Sequence, residues 1–493
     1  MFGLSARIAA LVAVLTSTTL VLGRPASAES RRAAIAASFA SIKASNLPSG
    51  YIRHAGGVGR VDDISPTTSD LGKADATWAI VPGLAGGCTS LESRNYRGYF
   101  LRHQNGAVSL QRFQDSNQFR QDATFCQVSG LADSSAVSFR AFQFPNAYLR
   151  HASGVLFLAD DDGSELFRRD ATFVRTAPWL AGMFFNPILG QGADPSMVHH
   201  NGQYYLVQGD VLHRNDIVIR RSASLEQLED AAPIVVWRHP PCPAPACTAI
   251  WAPELQLVNG QWWIYFAGEN GTGNASHRMF ALRGTTGDPA GPYEFMGMIQ
   301  LPGGEWAIDG VYFDYRGRGH FAWSGWQNGD PKVQHLFVTA MSGPMTPSGD
   351  RVRISTPVAA WETVRNDVDV RVNEAPQPIV GPNGQLFMTF SVNGSWTNDY
   401  CLGLLRLAGE PTNPAAWAKS TACIFAGRDT AIAPGHNGFL TVGGRPWLTY
   451  HALVTPGTGW PGRSLRMQPM SFHADGSPAL GAPAGVHDPV PLP

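Results

Sequence analysis

Charge is scarce in this sequence. Asp, Glu, Lys and Arg together make up 15% of its 493 residues, 37 basic side chains stand against 38 acidic ones, and the formal net charge is −1. Without a basic excess there is little to neutralise a phosphate backbone or an anionic bilayer, which argues against nucleic acid and membrane surfaces as partners. Long apolar runs are confined to the N-terminus, so no later segment is expected to span a membrane. Cysteines number six. Long helices are disfavoured too, because 53 Gly and 36 Pro punctuate the chain. Such a composition, with 10% aromatics, reads as turn-rich β structure that takes a neutral ligand.

What is present begins with an address. Arg7, an apolar run from Ile8 to Leu22 and the small residues Ala26-Ser27-Ala28 form a secretory signal peptide over residues 1–28. The mature protein is then expected to be extracellular. In an oxidising compartment the six cysteines read most simply as three disulfides, with Cys88/Cys126, Cys242/Cys247 and Cys401/Cys423 as the pairs within their own regions. The length suits two domains, each with its own core.

A threefold repeat follows the signal. "SIKASNLPSGYIRH" (41–54), "SLESRNYRGYFLRH" (90–103) and "SFRAFQFPNAYLRH" (138–151) align without a gap, and "DATW" or "DATF" follows from Asp75, Asp122 and Asp170. Three β-rich units of about 48 residues sharing one core predict a β-trefoil over residues 37–177. The recurrence of a His and an Asp together makes His54/Asp75, His103/Asp122 and His151/Asp170 candidate sugar-binding pairs, since neutral polyols are held by donor and acceptor groups beside an aromatic. The first unit reads "NLPSG" where the second reads "NYRGY". The loss of that aromatic weakens the expectation for the first pocket.

Beyond a linker at 175–185 comes a second repeat. "QGADPSMVHHNGQYYLV" (191–207), "WAPELQLVNGQWWIYF" (251–266), "IDGVYFDYRGRGHFAW" (308–323), "NEAPQPIVGPNGQLFMTF" (373–390) and "PGHNGFLTVGGRPWLTY" (434–450) each run from a polar or small-residue entrance through a strand, a Gly turn and an aromatic-rich strand. Five such units predict a five-bladed β-propeller over residues 184–485. The overall fold class is therefore all-β. In a propeller the residue just ahead of each innermost strand faces a shared axial cavity, which places Asp194, Asp309, Glu374 and His436 together. Converging carboxylates push at least one pKa upward, so one acid stays protonated while another is ionised, as glycoside hydrolysis requires.

The motifs "GADPSMV", "IDGVYF" and "VNEAPQ", with "WAPE" between the first two, resemble glycoside hydrolase family 43. The triplicated "YLRH … DATF" region resembles the arabinofuranose-binding module of carbohydrate-binding family 42. The first resemblance implies that Asp194 is the general base, Glu374 the general acid, and Asp309 the residue that positions the acid and raises its pKa. It also implies inversion of configuration, with the base and acid carboxyls roughly 6.5–9.5 Å apart. His436 matches a histidine that faces a calcium or sodium ion on the axis, and no organic cofactor is implied. Glu254 lies past the aligned position and reads as a supporting residue. Trp251 and Trp326 are candidate sugar platforms, and Arg406 a candidate to reach the cavity from a late strand.

Together the two resemblances imply an exo-acting α-L-arabinofuranosidase that binds arabinose-containing plant cell-wall polysaccharide; the signal peptide makes it secreted, and a monomer is expected because nothing in the sequence demands a dimer. The same family admits a β-xylosidase or an endo-arabinanase, and the loops "SGWQNGDP" and "PPCPAPACTAIWAPE" are candidate walls that decide between pocket and groove. An invertase-like propeller lacks support, because "IDG" stands where that class uses Arg-Asp-Pro. A non-catalytic lectin would be expected to have lost one of the three acids.

Overall fold

A computed structural model describes residues 38–208, 216–364 and 366–493. The signal peptide lies outside the described residues. Within them the protein is all-β, and no helix is long and apolar enough to cross a membrane.

Residues 38–176 form one twelve-stranded sheet built from three like units. Each unit has four strands and one short helix; in the second these are Thr89–Ser93, Tyr99–Gln104, Ala107–Arg112, helix Asn117–Asp122 and Phe125–Ser129. The first strand, Ser38–Ala44, pairs with the last, Phe173–Thr176, from Ser41↔Thr176 to Ala44↔Phe173, so the sheet closes on itself. Trp78, Phe125 and Phe173 take equivalent places in the shared core and are fully buried. The short helices were not anticipated from the sequence. Each starts on a serine whose hydroxyl accepts from a first-turn N–H (Ser69, Ser116, Ser164) and ends on the aspartate of the Asp-Ala-Thr motif. A carboxylate is unfavourable at a helix C-terminus. It is offset in each unit by the arginine of Arg-His, with Arg53–Asp75 at 2.8 Å and Arg102–Asp122 and Arg150–Asp170 at 2.9 Å.

Residues 183–491 form five successive antiparallel strand groups, the third and fourth joined into one nine-stranded sheet by a short parallel pairing of Val333 and Gln334 with Arg371 and Val372. Their first strands are Ser196–His200, Thr248–Val258, Ala307–Tyr315, Arg371–Val380 and Ile432–Val442. Each first strand packs against the next, and the fifth packs against the first, which closes a ring. The ring is locked where chain ends meet: Leu189 bridges Leu465 of the fifth sheet, and Met183–Phe185 pairs with Pro489–Pro491. This arrangement fits a five-bladed propeller.

One backbone device recurs at the start of all five first strands. Asp194, Ala252, Asp309, Ala375 and His436 have φ between +43° and +56°. The ladder shifts register across this residue in four of the sheets: between Trp251 and Glu254, Ile308 and Val311, Glu374 and Gln377, and Gly435 and Gly438. A left-handed residue costs about 1 kcal/mol or more. Its repetition turns the strand entrance so that the left-handed residue, or its predecessor, faces the axis.

The three disulfides join Cys88 to Cys126, Cys242 to Cys247 and Cys401 to Cys423, as the sequence suggested.

Candidate active site and sugar-binding module

The bulge aligns the acids more finely than sequence spacing does. Asp194, Asp309 and His436 occupy the left-handed position itself, whereas Glu374 sits one residue before it, where the second sheet has Trp251. Glu254 sits two residues after it, level with Ser196 and Gln377. These second-layer residues bond to one another beneath the cavity: Gln377 donates to Glu254 Oε1 at 2.7 Å, the Leu255 N–H donates to Ser196 Oγ at 2.9 Å, and Thr389 donates to Asn437 Oδ1 at 2.8 Å.

Asp194 is the most open of the acids, its side chain 15% exposed. Burial by itself would raise its pKa, but three cationic or polar partners prevail and hold the carboxyl far below the usual carboxylate range. His436 Nδ1 lies 3.1 Å from Oδ1, Arg463 Nη1 3.3 Å and His451 Nδ1 3.3 Å, the last also 3.3 Å from the Asp194 backbone nitrogen. Glu374 is buried, and its pKa is pushed up to about 7 by desolvation, with Asp194 adding to the rise and the Tyr400 hydroxyl, 2.7 Å from Oε1, opposing it. Asp309 is raised well above its ordinary value by burial and by Glu374 and Asp194, although it accepts from the Ala375 N–H at 3.1 Å. Burial also carries Glu254 up to about 8. Asp194 is thus held low while its neighbouring carboxyls are raised.

Sequence reasoning missed Tyr400, His451 and Arg463. Tyr400 and His451 stack in parallel, centroids 5.5 Å apart, and link the acid to the base. A faint signal existed for His451. The residues facing the entrance position across the ladder are Ala267, Ser324 and Ser391 in three sheets, and His451 in the fifth.

Two expectations are corrected. Arg406 does not reach the cavity: strand alternation puts it opposite the buried Leu405 and Leu407, 51% exposed and 3.9 Å from Asp475. Trp326 is 9% exposed and stacked on Trp306 at 4.6 Å inside a core cluster, so neither face is open to a sugar. Trp251 is half-buried and rests on His277 at 3.9 Å.

Burial lowers the pKa of His451 to about 4 and that of His436 below its usual value, and the Nε2 of each is buried with no partner. Among the described residues no three His, Cys, Asp or Glu side chains converge to hold a metal ion. One ring nitrogen does not fit a directly coordinated calcium or sodium ion, which takes several oxygen ligands.

In the N-terminal region the His54/Asp75 and His151/Asp170 pairs are each completed by polar residues of another unit. His54 Nε2 lies 3.4 Å from Asp75, 2.9 Å from Ser93 and 3.2 Å from Asn95. His151 Nε2 lies 2.9 Å from Asn46, which also donates to Asp170 at 2.9 Å. The Leu47 departure therefore belongs to the third pair, not the first. Tyr96 beside His54 is instead covered by His487, stacked at 4.1 Å. The same segment docks the two regions together: Arg97 pairs with Glu229 at 3.0 Å and Asp230 at 2.6 Å, and Arg94 with Glu226. His103 differs. Its Nε2 is buried without a partner, beside Phe144, which is 47% exposed.

Residues 184–478 match glycosyl hydrolases family 43, and residues 40–174 match the alpha-L-arabinofuranosidase B (ABFB) domain. An extracellular exo-alpha-(1->5)-L-arabinofuranosidase of Streptomyces avermitilis is 31% identical over 313 residues, 61% of this chain and 63% of that protein. The protein of the same name from Streptomyces chartreusis is 32% identical over 274 residues, 54% of this chain and 81% of its own. The crystal structure of an alpha-L-arabinofuranosidase from Lactobacillus brevis superposes with a TM-score of 0.57 at 29% identity, covering 61% of this chain and 97% of that one. The match therefore spans under two thirds of the first relative's length but most of the second's. Its five-sheet region and axial acids go with this likeness: the chain belongs to glycosyl hydrolases family 43.

Proposed function

We propose that this protein is a secreted, exo-acting α-L-arabinofuranosidase that hydrolyses arabinofuranosyl linkages in arabinan or arabinoxylan with inversion of configuration. The observation that carries the reading is the convergence of Asp194, Asp309 and Glu374 on the ring axis in different settings: Asp194 lies beside His436 and Arg463, which hold its pKa down, and Glu374 is buried under the Tyr400 hydroxyl with its pKa raised. Asp194, ionised and the most open to water, takes the proton of the attacking water. Glu374, its pKa raised to about 7 by burial, gives its proton to the leaving oxygen. Asp309, its pKa raised by burial and by Glu374, accepts from the Ala375 N–H and so fixes the backbone next to the acid. His436, His451 and Arg463 hold the base ionised and oriented. Trp251 forms part of the wall around the reacting sugar.

The ABFB region reads as a β-trefoil that tethers the enzyme to arabinose-containing polysaccharide. His103 and Asp122, with Phe144 as their aromatic wall, are its best-formed pocket. His151/Asp170 lacks the aromatic, and His54/Asp75 is covered by His487. Export through residues 1–28 agrees with the extracellular relatives, and the reading is of a monomer. An axial calcium or sodium ion would be held through a shell of water facing His436, and no step runs through it.

The test is hydrolysis of linear arabinan and of an aryl α-L-arabinofuranoside by the wild type and by Asp194→Ala. Arabinose as the first product, and its loss by 10³-fold or more in the variant, is the expected result. Larger oligosaccharides as first products, or an unchanged rate in the variant, would contradict it.

A further inference from the structure

The two tryptophans expected to hold sugar are both engaged elsewhere at least in part, yet a loop that leads into the acids carries another. Trp460 is 50% exposed, and among the described residues it is the one tryptophan in that class. Exposure on a loop is ordinary, but this indole is fixed. Its N–H donates to Ser395 Oγ at 3.0 Å, and its ring meets Trp396 edge-on at 5.9 Å and 83°. Trp396 in turn packs over Gly394, where a Cβ would lie 2.6 Å from the indole. An aromatic face held rigid and open costs little entropy to use, and it offers an apolar surface to the C–H face of a sugar ring.

Its position follows from where the two loops lead. Residues 393–400 run into Tyr400, whose hydroxyl lies on Glu374. Residues 454–462 run into Arg463, whose Nη1 is 3.3 Å from Asp194 and whose Nε donates to the Trp460 carbonyl at 3.4 Å. The loops are tied by the Gly457 N–H to Asn398 Oδ1 at 2.8 Å. The tryptophan pair therefore stands at the rim beside both the base and the acid. The two loops carry one charged side chain, Asp399, which suits a neutral ligand.

We propose that Trp460, braced by Trp396, is the platform for the sugar on the leaving-group side of the scissile bond. The reacting sugar lies deeper, among the acids. The next ring along the substrate, still joined through the oxygen that Glu374 protonates, emerges at the rim and stacks on the indole. This rests on the glycosidase reading above, and it places selectivity for the attached chain in Trp460.

The experiment compares wild type, Trp460→Ala and Trp460→Phe with arabinotriose as substrate and arabinose as competitive inhibitor. Arabinose fills only the inner site, so its inhibition constant reports whether that site is intact. In Trp460→Ala, kcat/KM for arabinotriose should fall about tenfold with arabinose inhibition changed less than twofold, and Trp460→Phe should recover most of the loss. Equal loss of both quantities, or loss of neither, overturns the platform. Should the wild type leave arabinotriose intact, the arabinofuranosidase reading fails. The platform is then judged by calorimetry on Glu374→Gln with xylotriose against xylose, where Trp460→Ala must weaken the trisaccharide alone; any other pattern, including no binding, overturns it too.

Discussion

Replacing Tyr400 with Phe removes one oxygen and leaves the stacked ring against His451 in place. That oxygen donates to Glu374 Oε1 at 2.7 Å in a buried site, and it favours the ionised carboxylate, opposing the burial that lifts the Glu374 pKa to about 7. A hydrogen bond to a buried charged group contributes about 1.5–3 kcal/mol, and one to the neutral acid about 1. The difference is about 0.5–2 kcal/mol, or about one pH unit at 1.36 kcal/mol per unit. The active form has Glu374 protonated, so activity is lost as pH rises through its pKa. Removing the hydroxyl raises that pKa, so the alkaline limb of kcat/KM should move upward by about one pH unit. The plateau rate should also fall about tenfold, as the acid loses its orienting contact. Profiles of kcat/KM against pH on an aryl α-L-arabinofuranoside, for both proteins, read the two effects separately. A limb that stays fixed or moves downward would refute the argument.

Other expectations follow from the same geometry. Gly435→Ala would place a Cβ 2.1 Å from the Tyr400 ring; kcat should drop about 10- to 100-fold and stability by about 1–3 kcal/mol, read by single-substrate kinetics and a denaturant melt. Arg463→Met removes the cation beside Asp194, so the acidic limb of the pH profile should move upward, because less opposes the desolvation of that carboxyl. His103→Ala should cut retention on insoluble arabinoxylan about tenfold, whereas His54→Ala, under the His487 lid, should leave it within about twofold; column retardation of the inactive Asp194→Ala background measures both.

Repetition decided what could be read in the sequence. His54, His103 and His151 advertise themselves because each recurs with its Arg and with an Asp about twenty residues on, and the cavity acids because each opens a copy of one strand pattern. Residues contributed once had no such echo. Tyr400 meets Glu374 within one strand group, 26 residues away, through the folding of its hairpins, while Arg463 and His451 meet Asp194 across 269 and 257 residues, where only ring closure brings them near. Arg406 and Trp326 failed for a different reason. Both lie in the right region, but the facing of a strand residue and the covering of an indole by Trp306 are settled by packing. The swap of units in the N-terminal pockets was illegible for the same cause: Asn46 and Leu47 sit in the first unit's sequence and serve the third unit's histidine.

The central claim is that Asp194 activates water while Glu374 protonates the leaving oxygen, in one displacement. Proton NMR of the wild type acting on an aryl α-L-arabinofuranoside, read in the first minutes before the sugar mutarotates, tests it most directly. The β-anomer of arabinofuranose as first product is the predicted result, and initial release of the α-anomer would contradict it.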